Sequence, residues 1–110
     1  MKKTQIKGLL TRLGISSVLK GYRYLVHIIY LASSKKDNYF LLKDLYAATA
    51  DYFHTSQSCI QRSIRTLLDN YWNDQNMKCF SEIIGYPVYH PLPPKEFVAV
   101  IADYLLLNQN

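Results

Sequence analysis

The sequence predicts an all-α fold of about six helices that contains a helix-turn-helix, of the winged-helix-like kind and with no strong sheet. Two observations carry that expectation. Apolar residues recur three and four positions apart in successive segments, whereas strict apolar–polar alternation is not sustained anywhere. Glycine, proline and short polar runs fall between those segments, where helices have to stop and start.

The first segment places Ile6, Leu9, Leu10 and Leu13 on one helical face and then meets Gly14, a residue suited to the left-handed position past a helix end. A second helix is expected after Ser16-Ser17, either of which can cap it, and runs to about Ala32. Leu25, Val26, Ile28 and Ile29 make it apolar around much of its girth, so it is the expected centre of the core. Residues 33–38 are polar and read as a loop. The third helix is expected from Phe40 to Phe53, with Leu42, Leu45, Tyr46, Thr49, Ala50 and Phe53 on one side.

A short break at 54–58 opens the fourth and most regular helix, expected over 56–73. Ile60, Ile64, Leu67, Leu68, Tyr71 and Trp72 form a one-sided stripe along it. A brief fifth helix is expected from about Lys78 to Ile84, ending at Gly85. Residues 86–94 carry too many prolines to be helical. Pro94 suits the first turn of a last helix, where its missing N–H is not needed, and Phe97, Ile101, Tyr104 and Leu105 give the expected buried face.

Composition bounds what this fold can do. With 110 residues, 49% of them apolar, the chain is expected to form a single domain over 1–110 with a real core. Its net charge of +5 is unevenly spread: residues 1–43 hold nine lysines and arginines against Asp37 alone, and residues 44–110 hold four against seven acids. A basic excess favours a polyanionic partner, because phosphates neutralised by Lys and Arg release their counterions. Cys59 and Cys79, with no C-x-x-C pair, read as free thiols. The best apolar run, 25–32, is too short to span a bilayer, and the start of the chain is not a secretion signal, so the expected location is the cytoplasm, with no membrane partner.

His27, His54 and His90 lie on different elements without ligand spacing, and no phosphate loop, nucleophile motif or paired carboxylate is present. Catalytic residues, metal ligands and cofactors are therefore expected to be absent. Most of the ten tyrosines sit at core spacing, which points to packing rather than base stacking.

The chemistry is concentrated on the fourth helix. Opposite its apolar stripe lie Ser58, Cys59, Arg62, Arg65, Thr66 and Asp69, with Gln61 at the margin. Arg can bind both acceptors of guanine and Gln both groups of adenine, and Ser or Thr can hold phosphate near a helix start. These are the residues a recognition helix uses in a major groove, after a turn carrying Thr55 and Ser56. The same residues in a solvated helix face would do nothing, so the pattern permits DNA binding without requiring it.

Several linked segments are more specific. Lys20-Gly21-Tyr22-Arg23-Tyr24-Leu25, Thr55-Ser56-Gln57-Ser58-Cys59-Ile60-Gln61-Arg62-Ser63-Ile64-Arg65, Ile84-Gly85-Tyr86 and Pro94-Lys95-Glu96-Phe97-Val98-Ala99-Val100-Ile101-Ala102-Asp103 occur in order between Leu13 and Leu107. This run resembles the C-terminal effector domain of the stage-zero sporulation response regulator A. The resemblance implies a six-helix fold, binding to short boxes of double-stranded DNA, often as a head-to-tail pair on tandem sites, and activation or repression of transcription. It implies that Arg62 and Arg65 face DNA and that Ser58 stands at the start of the reading helix. Lys20, Arg23 and the N-terminal lysines are expected to contact phosphates. Contact with RNA polymerase is a separate expectation.

This chain has Cys59 where the family characteristically has arginine, and Gln61 where it has glutamate. Losing one bidentate guanine contact removes about 1–3 kcal/mol of discrimination at a base pair, so a different target box is expected. The family also carries a receiver domain, and this chain begins almost at the first effector helix; a stand-alone regulator without that domain is the expectation, with a domain excised from a longer protein as the equal alternative. The competing expectation is a diverged protein-interaction module that pairs with full-length regulators or polymerase without reading DNA.

Overall fold

In the computed structural model, which describes residues 3–34 and 41–108, the chain forms six helices: α1 (Lys3–Leu13), α2 (Gly21–Ser33), α3 (Leu42–Tyr52), α4 (Gln57–Tyr71), α5 (Asp74–Ile84) and α6 (Pro94–Leu107). No strand occurs among the described residues. The central helix is α2. It packs against α1, α3, α4 and α6, and Leu25, Ile28, Ile29 and Ala32 are completely buried along it. That placement follows from its apolar girth, since a helix without a polar face has to be covered on all sides.

Two helices end in the same way. Past α1, Gly14 adopts φ 92°, its N–H bonds Thr11 O and that of Ile15 bonds Leu10 O, both at 3.0 Å. Past α3, His54 takes φ 56° while its N–H bonds Asp51 O at 3.3 Å and that of Thr55 bonds Ala50 O at 2.9 Å. Each is a Schellman closure that satisfies carbonyls the helix would otherwise leave free. In the second, a histidine occupies the position glycine usually takes.

Several boundaries differ from the sequence expectation, among them the ends of α3 and α4, which stop at Tyr52 and Tyr71. α2 starts at Gly21, not behind Ser16-Ser17. Those serines are exposed in a turn, and Lys20 at the cap position makes no side-chain capping bond. The cause is tertiary: the start of α2 lies hard against α4, and buried Ile15 anchors the turn leading to it. α2 ends one residue late, at Ser33, where the hydroxyls of Ser33 and Ser34 both donate to Tyr30 O at 2.9 Å. α3 begins at Leu42; the expected start at Phe40 and the loop residues 35–38 lie outside the described residues.

α5 starts at Asp74 rather than Lys78. Asn73 caps it by accepting from the Asn76 N–H at 2.8 Å, a signal hidden in the polar run that looks like the tail of α4. On α6, Tyr104 is only half-buried, and Val98 and Ala102 join Phe97, Ile101 and Leu105 in the buried face.

The far end of α4 is fixed by aromatic packing. Trp72 meets Phe80 of α5 at 5.3 Å and Phe97 of α6 at 6.0 Å between ring centroids. Tyr71 donates its hydroxyl to Leu13 O at 2.8 Å, tying α4 to the end of α1, and Asn76 Nδ2 donates to Tyr71 O at 2.6 Å. Of the tyrosines, Tyr22, Tyr24, Tyr46 and Tyr71 are buried, whereas Tyr52 and the loop residues Tyr86 and Tyr89 are exposed. No helix among the described residues is long and apolar enough to cross a membrane.

Candidate nucleic-acid interface

α3 and α4 form the helix-turn-helix, joined through Phe53, His54, Thr55 and Ser56. Ser56 is committed to the turn, since its hydroxyl accepts from the Cys59 N–H at 3.1 Å and caps α4. The inner face of α4 is buried through Ile60, Ile64, Leu67, Leu68 and Tyr71. Trp72, the last residue expected in that stripe, sits just past the helix end and is half-buried.

The outer face is open. Ser58, Gln61, Arg62, Arg65, Thr66 and Asp69 are exposed, and Cys59 is half-buried. Ser58, Gln61, Arg62 and Arg65 line one open depression of about 420 Å³ on this side of the molecule. Arg62 Nε donates to Ser58 O at 3.5 Å, which lays the guanidinium along its own helix. Arg65 reaches toward α3, where its charge partly offsets the rise that burial imposes on the Tyr46 hydroxyl.

Two neighbours border this face. On one flank, Leu19, Lys20 and Gly21 meet Cys59, Arg62, Ser63, Thr66 and Leu67 around a cleft of about 450 Å³. On the other, the loop from Pro91 to Pro94 meets Arg65, Leu68, Asp69 and Trp72. At 100° per residue these contact sets lie to opposite sides of Arg62, so the outer face is a ridge between two walls.

Gly21 is what lets the first wall stand so close. A Cβ there would lie 2.9 Å from the Ser63 carbonyl carbon and 3.2 Å from Leu67 Cβ. Only a residue without a side chain fits that approach.

The sequence-predicted residues therefore separate into groups. Ser58, Gln61, Arg62 and Arg65 share the outer depression, while Lys20, Cys59 and Thr66 share the flanking cleft with Arg62. The Cys59 thiol is pulled down to about 7 by the neighbouring Thr55 first, then by Lys20 and Ser63, against the opposing effect of burial. Arg23 stands apart from both. It is exposed on α2 with its guanidinium 5.6 Å from the Tyr24 ring centre and 5.4 Å from that of Phe53. Ser63 was not anticipated, because it lies between the apolar and outer faces and only the approach of α2 gives it a role.

The histidines show no ligand geometry. His27 is buried on α2, within 2.9 Å of Lys3 Nζ through Nδ1 and stacked at 4.1 Å on Tyr52. Burial and the Lys3 charge hold its pKa below the ordinary 6.5. Among the described residues no group of His, Cys, Asp and Glu is arranged to hold a metal ion, and Cys59 and Cys79 are free thiols.

A family model described as sporulation initiation factor Spo0A C terminal matches residues 6–105. The match takes in α2 to α5 whole and most of α1 and α6, and so includes both the helix-turn-helix and the turn that flanks it. With a helix-turn-helix presenting an open cationic face and a family match spanning nearly the whole sequence, the chain belongs to the Spo0A C-terminal family of DNA-binding effector domains.

Proposed function

We propose that this protein is a sequence-specific transcription regulator that inserts α4 into the major groove of double-stranded DNA, with Arg62 and Arg65 leading the contacts. The observation that supports this most is the exposure of both arginines on the side opposite a fully buried apolar stripe, beside Ser58 and Gln61. In this reading Arg65 and Gln61 reach base edges, Ser58 lies near the helix start, and Lys20 and Thr66 approach the backbone. Arg23, held over two aromatic rings, is placed for a peripheral phosphate contact. Cys59 offers no bidentate contact, which shifts the target away from boxes read by an arginine at that position.

The family resemblance adds pairing on tandem sites; contact with RNA polymerase and action in the cytoplasm, associated with the nucleoid when bound, complete the reading. Selection of bound duplexes from a random pool tests the reading. Enrichment of a short consensus that disappears with Arg65→Ala is the expected result. Recovery of unenriched sequences, together with capture of a full-length regulator or polymerase, would replace it with the protein-interaction module.

A further inference from the structure

The cleft between the turn preceding α2 and the outer side of α4 has apolar walls at Leu19 and Leu67 and a one-sided charge. Its charged groups, Lys20 and Arg62, are both cations, Ser63 and Thr66 bring hydroxyls, and no carboxylate or imidazole lines it. Arg62 belongs both to this cleft and to the depression on the outer face. The cleft therefore opens at the edge of the surface that would enter a major groove about 12 Å wide, and a phosphate backbone runs along that edge.

We propose that this cleft seats one backbone phosphate of the bound duplex, held by Lys20 and the hydroxyls of Ser63 and Thr66, with Arg62 at its rim. The inference rests on α4 being the groove-entering helix. It gives Ser63 a function and explains why Gly21 brings Lys20 so close to α4. The behaviour of Cys59 supports it, because the thiol lining the cleft is drawn toward its anionic form, to about 7, by donors that include Lys20 and Ser63. Donors that stabilise a negative sulfur stabilise a phosphate oxygen in the same way.

A consequence follows from shared donors. The thiolate and the phosphate compete for Lys20 and Ser63, so proton loss from Cys59 to solvent weakens DNA binding. If the two exclude each other fully, affinity falls about tenfold per pH unit above the thiol's midpoint.

The experiment measures anisotropy of a labelled duplex carrying the selected site, under reducing conditions at constant ionic strength, across neutral pH. Wild type is expected to lose affinity by at least about fivefold between roughly pH 6.5 and 8.5, and Cys59→Ser to show a flat profile. Lys20→Gln is expected to lower the salt slope by about 0.9, and Ser63→Ala with Thr66→Ala to weaken binding while the selected consensus stays the same. Inorganic phosphate is expected to compete better than chloride of matched ionic strength, and to lose that advantage in Lys20→Gln.

Parallel pH profiles for wild type and Cys59→Ser, or a salt slope indifferent to Lys20, would overturn the phosphate seat while leaving an Arg65-dependent consensus in place. Phosphate binding that depends on Lys20, with duplex affinity that does not, would make the cleft a site for a free anion and also overturn it. Absence of any duplex binding would remove both this proposal and the reading of α4.

Discussion

Gly21→Ala is a substitution at a helix start where intrinsic preference and packing pull in opposite directions. Alanine is favoured over glycine in a helix by about 1 kcal/mol at most. Here the new methyl would stand 2.9 Å from the Ser63 carbonyl carbon and 3.2 Å from Leu67 Cβ, and the first of these is backbone that α4 cannot move without disturbing its own ladder. Restoring ordinary carbon–carbon contact of about 3.5–4.0 Å makes the first turn of α2 retreat by roughly 0.5–1 Å. Overpacking of this kind costs about 1–3 kcal/mol, which outweighs the propensity gain. The expected net loss is about 1–2 kcal/mol, or roughly 5–10 °C in Tm for a domain of this size. Urea denaturation followed by circular dichroism reads the stability, and duplex titration reads the displacement of Lys20. A variant as stable as wild type would refute the close approach of α2 to α4 and the account of Lys20 built on it.

Ser56→Ala removes the cap of α4 and is expected to cost about 1 kcal/mol, read as a lower urea midpoint without a change in m. Tyr71→Phe leaves Leu13 O without its 2.8 Å partner in a buried position and is expected to cost about 1–2 kcal/mol, checked by the same titration. His27 has a folded pKa below its ordinary 6.5, so on acidification the unfolded chain binds the proton first. Its contribution is complete above that value and falls as the pH drops from it toward the folded pKa. Urea midpoints measured through this window are expected to decline in wild type and to decline less in His27→Gln; identical slopes would contradict the assignment.

Much of this architecture could be read in the amino acids because local signals and burial agree. Ile60, Ile64, Leu67 and Leu68 define a face by spacing alone, and Gly14, Gly85 and Pro94 mark ends that the backbone adopts. Elsewhere a tertiary contact overrode a local signal, or a polar run hid one. Ser16-Ser17 look like a cap, yet α2 starts at Gly21, the residue that meets the α4 backbone at Ser63. Asn73 looks like the tail of one helix and is the cap of the next, since Asp74, Gln75 and Asn76 present no apolar face to announce a helix.

The outer residues of α4 follow from periodicity, whereas the cleft could not. It joins Lys20 to Ser63 and Thr66 across more than forty positions, and no spacing rule connects them. Ordered segments, not charge, distinguish the family in this sequence. The basic excess is located mostly in residues 1–43, but the two arginines that matter most to the proposed reading lie in the acidic part of the chain.

The central claim is that Arg62 and Arg65 hold the protein on DNA, and its most direct measurement is the salt dependence of duplex affinity for wild type and for Arg62→Ala with Arg65→Ala. Each backbone contact neutralised contributes about 0.9 to the log–log slope, so wild type should bind far more weakly as salt rises, while the double variant should bind poorly even at low salt and lose sequence preference. Equal affinities and equal slopes for the two proteins would contradict the account.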